Sequence, residues 1–301
     1  MPVKIAHHKV YSHPLPDNHR FPMEKYTLLQ GQLKLEGLAH DEDWICPTPM
    51  SATDILRTHD ADYWKRLESG TLSTNDERRS GFKWSTALVL REQIIMQGTL
   101  ECALVASMGG AALNIAGGTH HAFAHRPEGF CLLNDLVLAA DWLHAHQLAK
   151  SILVVDLDVH QGNGTAALAA HREHLYAFSM HGATNYPFHK EVSDLDVALA
   201  DGADDNTYLR LLDSALEQAF DEAQPDVVLY QCGVDVLGSD KLGKLELSME
   251  GCQARDERVF AACRKHDVGV ACAMGGGYST DVNRIVEAHM QTFRAARDAW
   301  T

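Results

Sequence analysis

The 301-residue chain has no apolar run near the roughly 18 residues that suggest a membrane span. Its start, MPVKIAHHKVYSHPLP, lacks a charged region followed by an apolar one, so no secretory leader or membrane partner is expected and a cytoplasmic location is the default. Positive charge is also scarce, with 26 Lys and Arg against 41 Asp and Glu and a formal net charge of -15. Holding nucleic acid by its phosphates needs clustered Lys and Arg, so that class of partner is excluded, and a cationic substrate would be tolerated or attracted. The seven cysteines, Cys46, Cys102, Cys131, Cys232, Cys252, Cys263 and Cys272, are odd in number and form no CxxC pair. They read as reduced packing residues, which excludes a disulfide framework or a zinc knuckle. Internal repeats, low-complexity tracts and Pro/Ser linkers are missing too. Length alone leaves two domains open, but one large α/β domain over 1–301 fits best.

What is present is alternation. Short apolar runs at 111–118, 151–158, 174–180, 225–233 and 268–276 predict strands. Leu132–Leu148, Asn206–Ala223 and Ser248–His266 carry apolar residues at helical spacing between them. Strand and helix alternating in this way predict a mainly parallel sheet covered by helices on both faces. Loops are expected at His13–Pro22, around Cys46–Pro49 and over Gly70–Gly81.

Each predicted strand runs into polar residues at its carboxyl end: Thr119-His120-His121, then Asp156, Asp158 and His160, then Ser179-Met180, Asp235, and Gly275-Gly276-Gly277-Tyr278. Ligand crevices of open parallel sheets lie at those ends, so the groups can converge on one site. In VVDLDVHQGNG (154–164) the two acids and the imidazole fall on alternate positions, hence on one strand face where a core would be apolar. Asp158, His160 and Asp235 make a three-ligand metal set with a position left open, suited to Zn²⁺ but also to Fe²⁺, Co²⁺ or Mn²⁺. A bare DxH equally fits a hydrogen-bonded pair capping a strand. His120-His121 can serve as a general base and its electrostatic partner, or be polar surface as His7-His8 can. GGGY can swing a phenol toward a developing oxyanion, or be a tight turn with a packed ring.

Taken in order, GGTHHAF, GFCLLND, DLDVHQGNG, PDVVLYQCGVD, SDKLGKLELS and GGGY closely resemble the histone deacetylase family of metal-dependent amidohydrolases, over nearly the whole chain. HRFPMEKY (19–26) is similar to the N-terminal segment of bacterial members and THDADYW (58–64) to a short helical element. SDKLGKLELSMEGCQARDE is most similar to the class IV branch. The resemblance implies an arginase-like α/β domain with Asp158, His160 and Asp235 as ligands of a catalytic Zn²⁺, Fe²⁺ or Co²⁺ being alternatives. It makes His121 the general base, His120 its electrostatic neighbour, Asp156 the acid orienting His120, and Tyr278 the group polarising the scissile carbonyl. It implies a structural K⁺ at Asp156, Asp158, His160, Ser179 and Met180, and an acyl-lysine tunnel at Gly129, Phe130, Tyr186, Leu242 and Gly276. Asn163 departs from the acid that class I members carry beside the second histidine, and an amide raises the basicity of His121 less than a carboxylate would.

The implied reaction is removal of an acyl group, acetyl or longer, from the ε-amino group of lysine in a protein or peptide. Small acylated amines such as acetylpolyamines are the alternative substrates. A two-Mn²⁺ guanidine hydrolase of the same fold expects a further acid where this chain has Gln161. An idle acyl-lysine reader would not need every catalytic residue type. Oligomeric state is not readable from the sequence.

Overall fold

The structure is a computed structural model that describes residues 3–17 and 19–300. Its strands are β1 (Lys4–Ala6), β2 (Trp44–Ile45), β3 (Ala111–Asn114), β4 (Ile152–Asp156), β5 (Leu175–Gly182), β6 (Leu195–Leu199), β7 (Val227–Gln231) and β8 (Gly269–Ala273). Its helices are α1 (Glu24–Leu35), α2 (Ala52–Ile55), α3 (Ala61–Ser69), α4 (Thr74–Ser80), α5 (Thr86–Ser107), α6 (Asp135–Ala145), α7 (Asn163–Ala169), α8 (Asp205–Ala223), α9 (Met249–Lys265) and α10 (Val282–Trp300). The strands form one sheet in the order β2-β1-β3-β8-β7-β4-β5-β6, and every pairing is parallel.

Parallel strands joined by helical crossovers are buried on both faces, which explains their nearly continuous apolar character. Every residue of β3, β4, β7 and β8 is buried. Alternate side chains feed two cores: Leu153 and Val155, Val228 and Tyr230, and Val270 and Cys272 enter one, while Ile152 and Val154, Val227 and Leu229, and Ala271 and Ala273 enter the other. Edge strand β6 instead alternates between half-buried and exposed residues until it ends on buried Leu199.

The expected helices appear as α6, α8 and α9, started by side chains of Asn134, Asp204 and Ser248 that each accept a backbone N–H. The stretch expected as a loop at 70–81 contains α4. There Ser73 and Asp76 form a reciprocal capping box, and the helix ends at Gly81 with φ 74°. The strands are also shorter than the apolar runs. β4 ends at Asp156, so Asp158 and His160 lie in a bend. The alternation persists past the strand all the same, because Leu157 and Val159 are fully buried in the first core.

Strand order fixes where the site lies. β3, β8, β7 and β4 are consecutive neighbours at the centre of the sheet. At roughly 4.8 Å per strand, their four carboxyl-terminal loops fall within about 15 Å of one another. Those loops carry His120-His121, Tyr278, Asp235, and Asp158 with His160, while Asp156 is the last residue of β4 itself.

Candidate active site and metal centre

The turn before the two histidines is held by Asp135, the first residue of α6. Its carboxylate accepts from Gly118 N–H at 2.9 Å, from Thr119 N–H and hydroxyl at 2.7 Å each, and from the Thr99 hydroxyl at 2.7 Å. Gly118 has φ 74°, and a Cβ there would come within 2.0 Å of Gln231 Oε1, so the turn accepts only glycine.

The two imidazoles are held differently. His120 Nδ1 donates to Asp156 Oδ2 at 2.7 Å. Burial opposes charge on His120, but Asp156 and Asp158 outweigh it and raise the pKa to about 9. His121 Nδ1 lies 2.7 Å from Asn163 Oδ1, while Asn163 Nδ2 donates to Glu128 Oε1 at 2.8 Å. The Tyr186 hydroxyl donates to the same Glu128 oxygen at 2.7 Å. A carboxylate only accepts, so Glu128 draws the amide nitrogen of Asn163 and turns its carbonyl toward His121. That carbonyl also only accepts, so His121 carries its proton on Nδ1 and keeps a lone pair on Nε2. Burial, reinforced by the charges of His120 and His160, holds the His121 pKa well below the usual value.

Asp158, His160 and Asp235 are all buried, and each offers a ligand atom within 4.8 Å of the others. His160 Nδ1 lies 3.0 Å from Asp158 Oδ1 and 3.1 Å from Asp235 Oδ2. Backbone N–H groups of Gly276 and Val159 donate to the second carboxylate oxygens, at 2.9 Å to Asp158 and 3.0 Å to Asp235. Burial and the adjacent charge of Asp158 lift the Asp235 carboxyl to about 7. Two carboxylates and one imidazole held together in the interior leave negative charge in excess, a condition that a bound cation relieves. Oxygen and nitrogen donors without a thiolate fit Zn²⁺ and similar divalent ions.

Ser179 pairs in register with Asp156 across β4 and β5, and Met180 follows it, so both border the same strand ends as Asp158 and His160. Ser179 Oγ lies 3.0 Å from His181 Nδ1. Tyr278 hangs from the loop after β8, with its N–H bonded to Asp240 Oδ2 at 2.6 Å and its ring 6.0 Å from Phe130 and 6.4 Å from His160. Burial, followed by the charges of Asp158 and Asp235, pushes its hydroxyl pKa well above the usual value.

An open cavity of about 770 Å³ leads to these groups and is walled by Gly129, Phe130, Tyr186, Leu242 and Tyr278, with His121 and His160 at its floor. Gly129 and Phe130 are both left-handed, with φ 53° and 64°. Such a conformation costs a non-glycine residue about 1–2 kcal/mol and concentrates at ligand sites. A Cβ on Gly129 would lie 2.4 Å from the His121 ring, so this wall sits directly against the imidazole. A second cavity of about 30 Å³, lined by Tyr26, Arg91, His120 and Gly276 among others, extends behind the floor.

The histone deacetylase domain profile matches residues 19–293. The chain belongs to the histone deacetylase family. Membership of the histone deacetylase family indicates a deacetylase, a hydrolase. An uncharacterised protein of a Picosynechococcus species is 40% identical over 98% of this chain and 99% of its own length. Histone deacetylase 2 of Arabidopsis thaliana is 29% identical over 89% of this chain and 72% of its own. A solved histone deacetylase homologue from Aquifex aeolicus shares the fold with a TM-score of 0.84 at 22% identity, covering 99% of this chain and 84% of that one. No helix among the described residues is long and apolar enough to cross a membrane.

For this histone deacetylase family member, the structure brings His120, His121, Asp158, His160, Asp235 and Tyr278 to one place at the carboxyl ends of the strands and adds other residues. Glu128 stands immediately before GFCLLND, yet only its contacts with Asn163 and Tyr186 give it a role. Lys25 is 1% exposed and donates from Nζ to Gly275 O at 2.9 Å, bracing the loop that carries Tyr278. Burial lowers the Lys25 pKa to about 8, with Asp235 and Asp158 holding up part of its charge. Its one visible signal is a lysine beside the apolar row Tyr26, Leu29 and Leu33 of α1.

Proposed function

We propose that the chain is one catalytic unit, a zinc-dependent deacylase that hydrolyses acyl-lysine in proteins or peptides, of the class IV-like branch. The observation that carries this reading is the His121–Asn163–Glu128 relay, which leaves Nε2 of His121 unprotonated at the cavity floor beside the Asp158, His160 and Asp235 set. An ion held by those three residues, Zn²⁺ by preference and Fe²⁺ or Co²⁺ as alternatives, supplies polarisation of a carbonyl and acidification of water. His121 Nε2 takes the proton of the attacking water while Nδ1–H stays bonded to Asn163. The Tyr278 hydroxyl, kept protonated by its surroundings, donates to the carbonyl oxygen as negative charge develops there. His120, charged through Asp156 and Asp158, provides the local positive field, and a protonated histidine gives the leaving amine its proton. Gly129, Phe130, Tyr186 and Leu242 enclose the acyl-lysine stem, with Gly276 not among the walls of the large cavity but at its inner end, against Asp158. Asp156, Asp158, His160, Ser179 and Met180 take a structural K⁺. The inner cavity of about 30 Å³ favours a short acyl group, because a space of that size holds only a water or two.

Tyr278→Phe and His121→Ala should each lower kcat by about 10²–10³ while metal analysis still finds the ion. A fully active double variant would sink the assignment. Acyl-lysine peptides of graded chain length, assayed beside acylated polyamines, should show the highest kcat/KM for acetyl-lysine. A preference for long chains would mean that the Tyr26 and Arg91 side opens.

A further inference from the structure

The mouth of the large cavity has the opposite charge to the protein. Over the whole chain 41 acids face 26 Lys and Arg, yet among the described residues no Asp or Glu lines this cavity, whereas Arg20, Arg78, Arg79 and Lys244 all do. All four are exposed at the rim. They come from three separate places: the segment before α1, the last turn of α4, and the loop after β7.

Local structure accounts for only part of this. Cations in a last helical turn offset the helix dipole, which gives Arg78 and Arg79 an ordinary reason to be there. It gives none to Arg20 or Lys244. The acids of α4 are already engaged, since Asp76 caps Ser73 and Glu77 pairs with Lys83 at 2.8 Å. Among the described residues Arg20, Arg78 and Arg79 form no ion pair. Lys244 is held by the Thr184 hydroxyl at 2.7 Å and reaches exposed Asp201 only at 3.7 Å. Three guanidinium groups are thus left facing the opening with their charge uncompensated, and guanidinium forks match carboxylates in geometry as well as in sign.

We propose that this rim is an anion-recognition site, selecting acyl-lysine whose neighbouring residues carry carboxylates and disfavouring polycationic acylamines. The proposal rests on the deacylase reading and names its substrate class. It also revises the expectation from net charge, because the field at the entrance is set by the residues that line it and not by the distant acidic surface.

The test uses the intact metal-loaded chain and three peptides of equal length in which acetyl-lysine is flanked by Asp, Ser or Lys. At low salt, kcat/KM should favour the Asp-flanked over the Lys-flanked peptide by about tenfold, the size expected of one or two surface charge pairs about 7 Å apart. The ratio should fall toward unity at high salt. The double variant Arg78→Glu/Arg79→Glu should reverse the order and leave the Ser-flanked peptide within about twofold of its original rate. Arg20→Ala should shrink the preference without reversing it. Equal or inverted rates in the unaltered chain, or an order that the double variant leaves intact, would overturn the proposal. Turnover of the Ser-flanked peptide without any charge ranking defeats the rim alone. No turnover of any of the three defeats the deacylase reading with it.

Discussion

Two groups of buried charge lie beside the carboxyl ends of β4 and β7, and they are built on opposite plans. Around α9, Arg255 is fully buried, donating from Nε to Asp256 Oδ1 at 2.8 Å and from Nη1 to Leu157 O at 3.2 Å and to Gly233 O. Asp256 also accepts from the Tyr230 and Thr292 hydroxyls. That group carries one positive and one negative charge and closes on itself. The Asp158, His160 and Asp235 group has acids in excess and opens on a cavity. Balanced buried charge makes scaffold, whereas an excess of buried acid over base calls for a cation from outside. The two groups are joined, because Arg255 grips the peptide carbonyl just before Asp158 and the one two residues before Asp235.

The comparison breaks most visibly at Arg255. Arg255→Met would leave Asp256 buried without its cation and should cost about 3–5 kcal/mol in denaturant unfolding. Asp235→Asn removes one charge from the open group. It should leave the metal-free chain within about 1 kcal/mol of its original stability, or above it, because it relieves repulsion with Asp158. Equal losses from both substitutions would erase the distinction between closed and open groups.

His59 belongs to the closed kind. Its Nδ1 donates to Phe123 O at 3.1 Å and its Nε2 accepts from Asn134 N–H at 2.9 Å, while burial lowers its pKa to about 4. Its unfolded value lies near 6.5, so only the unfolded chain takes up the proton between those limits. Its contribution to stability is complete above about pH 6.5 and falls by about 3 kcal/mol as the pH drops to 4. Unfolding curves at pH 7 and 4.5 should show a smaller acid loss in His59→Gln than in the unaltered chain.

Glu128 tests the open group at its second remove. A glutamine there can either donate or accept, so the Asn163 amide is free to invert and move the His121 proton to Nε2. Glu128→Gln should lower kcat about tenfold with KM little changed, and Glu128→Asp should recover part of the rate. A drop confined to KM would show that Glu128 serves only the cavity wall through Tyr186.

The motifs made the strand ends and their chemistry legible, because glycines, acids and imidazoles interrupt apolar runs there. They did not show where each strand stops. Positive φ at Gly117 and Gly118 ends the β3 run early, and the bend at 158–160 ends β4. β1 and β2, of three and two residues, are too short to leave a periodic signal. The capping box at Ser73 and Asp76 was a readable mark of α4 within a stretch that otherwise looks like loop. Asp135, Glu128 and Lys25 were beyond reach for another reason. Their roles arise from contacts across the fold, as between Lys25 and Gly275, 250 positions apart.

The central claim, that the open acidic group holds a catalytic cation, is tested most directly by turnover of an acetyl-lysine peptide through one cycle of metal removal and return. Chelation should lower kcat/KM by about a hundredfold or more, and one equivalent of Zn²⁺ per chain should restore it. Undiminished turnover by a chain shown by analysis to be metal-free would contradict the account.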